Sequence, residues 1–365
     1  MRWLNLALLV LVAALLLGGC TSAPATPAAS APAKAPASAP ASGAASGAAA
    51  APTSAPVAAL PKVRAAWASD TAAELPLQVA NEAGLFPKYG LDVSAERIAG
   101  GSSKVLQVLL SGELDLAQIG GTGIVDAYLA GADPVYITTH NPVLVMQIFA
   151  VPGIARLEDL RGKSIAVTRA GTLTDFAARY ALTKQGLRPD VDVGIIQTGG
   201  NTETMAAMQS GNVAAGVLSP PVDVPARKLG FHEIVDPASL ALEFPHDGLA
   251  VRRDFLAANP EAVQRFVRAY VEAIARIKQD KAFTKQVMSK YLETTDDEAL
   301  ESGYQAFGDR YLARVPYPTA AQFQSIIDFV VERDPRARDL PLDRMIDDRF
   351  VRALEQEGFI DSLYR

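Results

Sequence analysis

Acid–base chemistry in this chain would fall to Asp70, Glu74, His140 and His246, whose spacing forms no recognised nucleophile or metal pattern. Three histidines and one cysteine in 365 residues offer neither a histidine cluster nor a disulfide within the chain. A binding chemistry, by contrast, is written twice. Gly100-Gly101 leads into Ser102-Ser103, an apolar helical stripe, Ser111-Gly112 and an apolar strand. About one hundred residues later, Gly199-Gly200 leads into Asn201-Thr202, a stripe, Ser210-Gly211 and a second apolar strand. Glycine lets a ligand approach the backbone, and a hydroxyl or amide at each helix start is expected to cap it. The free N–H groups of a helix start carry roughly half a positive charge, so two facing starts would hold an anionic group. The pattern points to capture of a small solute without turnover.

The elements around the two copies repeat as well. A strand over 62–68, a helix over 72–83 with Pro76 in its first turn, and a strand over 92–98 precede the first glycine pair. A strand over 164–168, a turn over 169–172, a helix to residue 185 and a strand over 193–197 precede the second. Gly90-Leu91 and Gly186-Leu187 match at nearly the same offset. A period this long is wrong for a solenoid and right for two α/β lobes with mostly parallel sheets. Ligands on such sheets sit beyond the carboxyl ends of the strands, where Ser69, Thr71, Ser102, Thr122, Thr172, Asn201 and Ser219 fall. Trp67 offers a stacking wall or a core ring, and Arg169 a counter-charge for an acid group.

Extended stretches over 136–151 and 243–251 read as crossings between the lobes, carrying His140-Asn141 and His246-Asp247. They give a first lobe of 62–143 and 248–365 and a second of 144–247, with the hinge at the crossings. Asn259-Pro260 opens a helix over 261–278 whose Phe266, Tyr270, Ile274 and Ile277 stripe reads as packing. The helices that follow are expected to complete the first lobe.

The first sixty residues differ in kind. After Arg2, an apolar run from residue 4 to 17 ends in Gly18-Gly19-Cys20, the length of a secretory signal and short for a membrane span. Leu17 to Cys20 resembles the bacterial lipobox, which implies that residues 1–20 are a signal peptide and that Cys20 is lipidated as the first mature residue. That places the protein in the bacterial cell envelope, facing the periplasm or the exterior. Residues 21–61 are almost wholly Ala, Pro, Ser, Gly and Thr, with Lys34 their only charge, and read as a disordered tether. The formal charge is −6, and Arg2 and Lys34 are the only charges before Lys62, so nothing suggests nucleic acid.

From about Val63 to Arg252 the chain resembles substrate-binding proteins of ABC importers of the nitrate, sulfonate and taurine type. These are members of the thiamine-pyrimidine-synthase-like periplasmic binding protein superfamily. Residues 80–86 (ANEAGLF), 90–93 (GLDV), 111–120 (SGELDLAQIG) and 160–167 (LRGKSIAV) carry the resemblance. It implies a type II clamshell that closes as a monomer on a small anionic solute and delivers it to a membrane permease with its ATPase, with no cofactor, metal or catalytic residue. In that family the ligand meets the positions held here by Trp67, Ser69, Thr71, Ser102, Ser103, Gly121, Thr122, Gly171, Thr172, Asn201 and Ser219. Relatives in thiamine-precursor metabolism include enzymes, whose cysteine-rich motif is absent here. A ligand-sensing partner of a membrane receptor would share the fold.

Overall fold

The computed structural model describes residues 61–69, 71–236 and 242–365; the signal segment with Cys20, the tether up to residue 60, and Asp70 lie outside the described residues. Ten strands form in chain order: β1 (Val63–Trp67), β2 (Val93–Arg97), β3 (Leu116–Ile119), β4 (Val135–Val143), β5 (Gln147–Ala150), β6 (Ser164–Val167), β7 (Gly194–Gln197), β8 (Ala215–Leu218), β9 (His232–Val235) and β10 (Glu243–Val251). They make two five-stranded sheets, ordered β2-β1-β3-β10-β4 and β7-β6-β8-β5-β9.

Each strand–helix–strand repeat builds the parallel part of one sheet. β1 lies parallel between β2 and β3, and β6 parallel between β7 and β8. The fourth strand of each sheet runs the other way: β10 is antiparallel to β3 and β4, and β5 is antiparallel to β8 and β9. Both are the first strand the chain makes after crossing from the other sheet. The crossing segments are thus strands in their own right, and β10 joins the first sheet from its first residue, Glu243, opposite Val143.

The helix starts differ from expectation. The helix Gly101–Leu110 is preceded by Gly100, at φ 114°, and the helix Asn201–Gln209 by Gly200; neither has a side-chain cap. Ser102 and Ser103 lie inside the first turn, and Asn201 is the first helical residue, because the glycine pair makes the bend itself. Gly100 and the equivalent Gly199, at φ 101°, adopt a backbone region that other residues avoid. The N–H groups of both starts are therefore left to other partners.

The helix Pro260–Gln279 is the spine of the first lobe's core. Phe266, Tyr270, Ile274 and Ile277 are fully buried, packed with the helix Leu75–Glu82, β1 and the C-terminal helices. A second apolar cluster passes from the other face of the first sheet, through Ile119 and Phe244, to Ile165 and Phe176 of the second lobe and Phe323 of a late helix. The lobes are joined by packed side chains as well as by the crossings.

Candidate functional site

The carboxyl ends of the parallel strands face one another across a cleft. Its outer part, about 650 Å³, is lined by Arg97, the glycine pairs, Thr202, Glu203 and the turn Tyr291–Thr294. Beneath it lies an inner chamber of about 80 Å³ with walls from both lobes. Ser69, Thr71, Glu74 and Ser102 come from the first lobe, Thr168, Thr172, Thr174, Asn201 and Ser219 from the second, and His246 and Asp247 from β10.

Most of these groups are already committed. Ser69 Oγ donates to Glu74 Oε1 at 2.7 Å, and the Ala68 and Ser69 N–H groups donate to the same oxygen at 3.3 and 3.0 Å. Gln118 Nε2 donates to Glu74 Oε2 at 2.9 Å and to the Ala73 carbonyl at 3.1 Å. Gln118 Oε1 in turn accepts from Leu77 N at 3.2 Å and Tyr270 Oη at 2.9 Å. Tyr270 Oη also lies 2.9 Å from His140 Nδ1, so one tip of the packing stripe reaches the chamber floor. On the opposite wall, the Thr168, Thr172 and Thr174 hydroxyls lie within 2.8–3.0 Å of one another, and Thr172 Oγ1 donates to the Arg169 carbonyl. The Val145 N–H donates to His246 Nδ1 at 3.1 Å, which places the neutral ring's proton on Nε2. Ser219 is the exception: its residue is 2% exposed and its Oγ has no hydrogen-bond partner.

Burial governs the ionisation of this floor. It pushes Glu74 up to about 8 against the pull of its hydrogen bonds, and burial together with the Glu74 charge holds Asp247 well above the usual carboxylate range. Burial likewise lowers His140 to about 4, and burial and the neighbouring His140 lower His246 to about 3. A raised carboxyl stabilises the fold fully below its unfolded pKa near 4.5, and that stability is lost as pH rises through 8. The depressed histidines act oppositely: their contribution is complete above 6.5 and is lost as pH falls towards 4 and 3. Between pH 6.5 and 8 the Glu74 contribution falls, by on the order of 2 kcal/mol. Urea unfolding at these two pH values checks this, with Glu74→Gln expected to flatten the loss. An equal decline in both proteins would show that Glu74 is not its source.

Six of the eleven expected ligand positions meet in the chamber: Ser69, Thr71, Ser102, Thr172, Asn201 and Ser219. Thr122 and Gly171 line a smaller side pocket with Thr172, Asp126, Asp175 and Arg333. Gly121 faces Pro245, whose ring a Cβ would strike, and Ser103 lines neither space. Of the two readings for Trp67 the structure has the core ring, 4% exposed and edge-on to Tyr291 with ring centroids 5.4 Å apart. Alternation along β1 explains this: Ala65 and Trp67 point into the helical core, while Ala66 and Ala68 point to the other face. Arg169 is exposed and outside the chamber lining, which contains no lysine or arginine among the described residues. The floor glutamine and Asp247 were not singled out by sequence, although a glutamine inside the apolar run Leu116-Ala117-Gln118-Ile119 is a detectable signal.

The lobes touch around the chamber. A Cβ on Gly101 would meet Thr172 Cγ2 at 3.8 Å, and one on Gly120 would meet the Leu173 side chain at 3.0 Å. On the far side Ser302 Oγ donates to both Asp223 carboxylate oxygens at 2.9 Å, and Lys228 pairs with Asp296 at 2.7 Å.

Two mixed sheets with matching strand order, exchanged fourth strands and a chamber between them define the two-lobed periplasmic-binding-protein fold. The chain belongs to the NMT1-like family, whose model matches residues 60–292. A candidate binding protein of Brucella abortus is 31% identical over 199 residues, 53% of this chain and 60% of that one, so the chain spans only about 60% of that relative. The nitrate/nitrite binding protein NrtA of Nostoc is 26% identical over 245 residues, 59% of this chain and 53% of that one. The fold is shared with the alkanesulfonate-binding protein SsuA of Xanthomonas axonopodis bound to MOPS, at TM-score 0.67 and 18% identity, covering 80% of this chain and 100% of that one. It is shared too with the periplasmic nitrate-binding protein NrtA of Synechocystis, at TM-score 0.69 and 15% identity, covering 82% and 89%. Among the described residues no helix is long and apolar enough to cross a membrane.

Proposed function

We propose that this chain is the extracytoplasmic solute-binding component of an ABC importer, anchored by lipid at Cys20, capturing a small solute between its lobes and delivering it to a permease. The observation that carries the reading is the inner chamber, walled by loops from both lobes, with Ser69 and Ser102 facing Thr172, Asn201 and Ser219. The kinship with binding proteins supports it. In this reading Glu74 and His140 are structural, engaged in the hydrogen bonds that build the floor. The first lobe takes 62–143 with 243–365 and the second 144–242, since β10 belongs to the first sheet from Glu243; the hinge lies at the two crossings, and the chain acts as a monomer.

Mass spectrometry of solute carried through native purification tests capture directly. Closure is tested with Ser102→Cys and Asn201→Cys together in a Cys20→Ser background, which leaves no other thiol. Crosslinking should rise with the solute present, and small-angle scattering should show a smaller radius of gyration. The Cys20→Ser protein should leave the membrane fraction, because a bacterial lipoprotein's several acyl chains hold it where one would not. Retention on the membrane would end the anchor reading, and a bound solute that alters neither radius nor crosslinking would end the clamshell mechanism.

A further inference from the structure

The expected anionic solute rested on two facing helix starts, and the side chains around them point elsewhere. An oxyanion taken out of water needs a cation or several free donors, and the inner chamber holds no lysine or arginine among the described residues. It holds two buried carboxyl groups instead, on Glu74 and Asp247, which burial by itself keeps protonated and whose ionised form an entering cation would favour. Glu74 is built as an acceptor: three donors converge on Oε1, and Gln118 Nε2 on Oε2. Asp247 Oδ1 accepts from Gly248 N at 2.8 Å. The second helix start is offset by a carboxylate of its own, because Glu203, in its first turn, lies with its side chain against Gly200. Against these stand one helix start of roughly half a charge, the Asn201 amide, the neutral His246 ring and, in the outer cleft only, Arg97. The unpartnered Ser219 hydroxyl faces the same space, and it can turn to accept a hydrogen bond as readily as to give one.

We propose that the inner chamber receives a nitrogen head group that donates N–H bonds, an ammonium or amidinium, with Asp247 and Ser219 as its acceptors. This rests on the solute-binding reading and narrows its substrate class from anions to nitrogen bases. The carbon remainder of the solute extends into the larger outer cleft, past Tyr291.

Matched probes of opposite charge decide the matter in the full-length chain, solubilised and dialysed free of carried solute. Benzamidine is titrated against benzenesulfonate, and acetamidine against methanesulfonate, by calorimetry. The expected result is at least about a tenfold preference for each amidine, the size of one charge-assisted hydrogen bond. Asp247→Asn should lose about tenfold in amidine affinity, and Ser219→Ala, a milder change that keeps the fold if Asp247→Asn does not, should lose severalfold. Tighter binding of the sulfonates overturns the inference and leaves the solute-binding reading standing. Binding of neither class overturns the inference, while the solute-binding reading stands or falls on the solute carried through native purification. An amidine preference that survives Ser219→Ala and Asp247→Asn unchanged removes the head group from this chamber.

Discussion

Gly248→Ala is expected to leave little folded protein. The ladder between β10 and β4 shifts register at Gly248, drawing the two backbones together. A Cβ there would run into the Thr138 carbonyl and approach Tyr136 Oη to 2.7 Å. Neither can retreat: both residues are fully buried, and Tyr136 Oη donates to the Ile119 carbonyl at 2.8 Å. Moving them would break the β10–β4 ladder and the Tyr136 hydrogen bond to Ile119, so the cost should exceed about 4 kcal/mol. Gly186→Ala is the control. Gly186 sits at φ 69° with nothing within 4 Å of a Cβ, so only backbone strain of about 1–2 kcal/mol is expected. Soluble yield and urea midpoints compare the two, and a Gly248→Ala protein as stable as Gly186→Ala would refute the packing argument.

Gln118→Met should be the most damaging change that leaves the volume of the chamber floor nearly intact. Gln118 is fully buried and uses both ends of its amide, serving Ala73, Glu74, Leu77 and Tyr270. Methionine fills similar space and makes none of these bonds, orphaning the Leu77 N–H and Glu74 Oε2. At about 1–3 kcal/mol for each buried group left unpaired, a loss on the order of 3 kcal/mol is expected. Solute affinity should fall with it, because Glu74 fixes the Ser69 loop through three hydrogen bonds. Denaturation and calorimetry on the same preparation measure both effects. Stability and affinity both equal to the parent's would mean that the network is ornamental.

The lobes were legible because their grammar is local. A glycine pair, a helical stripe, Ser-Gly and an apolar strand fall within some twenty residues, and their recurrence needed no tertiary information. The loops at the strand ends were legible for the same reason, which is why Ser69, Ser102, Thr172, Asn201 and Ser219 meet. Side-chain direction was less so: Trp67 and Ser69 are two residues apart, yet one enters the core and the other the chamber. The capping role given to Ser102 and Asn201 misread a bend that glycine makes unaided. The floor was hidden most deeply. Gln118 and Tyr270 are separated by 152 residues, and nothing local announces that they touch. Asp247 was visible only as part of a crossing, since its chemistry depends on burial beside Glu74.

The exchanged fourth strands also dictate an order of assembly. Every strand of the second sheet lies between residues 147 and 235, so that sheet can condense from a contiguous stretch of chain. The first sheet cannot: β3 and β4 are held apart until β10 arrives between them, about one hundred residues after β4 ends. Pairings of such long range are slow to form and expose unpaired strand edges while they wait. The amino-terminal half is therefore made first and finished last. Asp247 and His246 travel on the late strand, so a chain emerging through a membrane would hold an incomplete binding floor until its second lobe had followed it across.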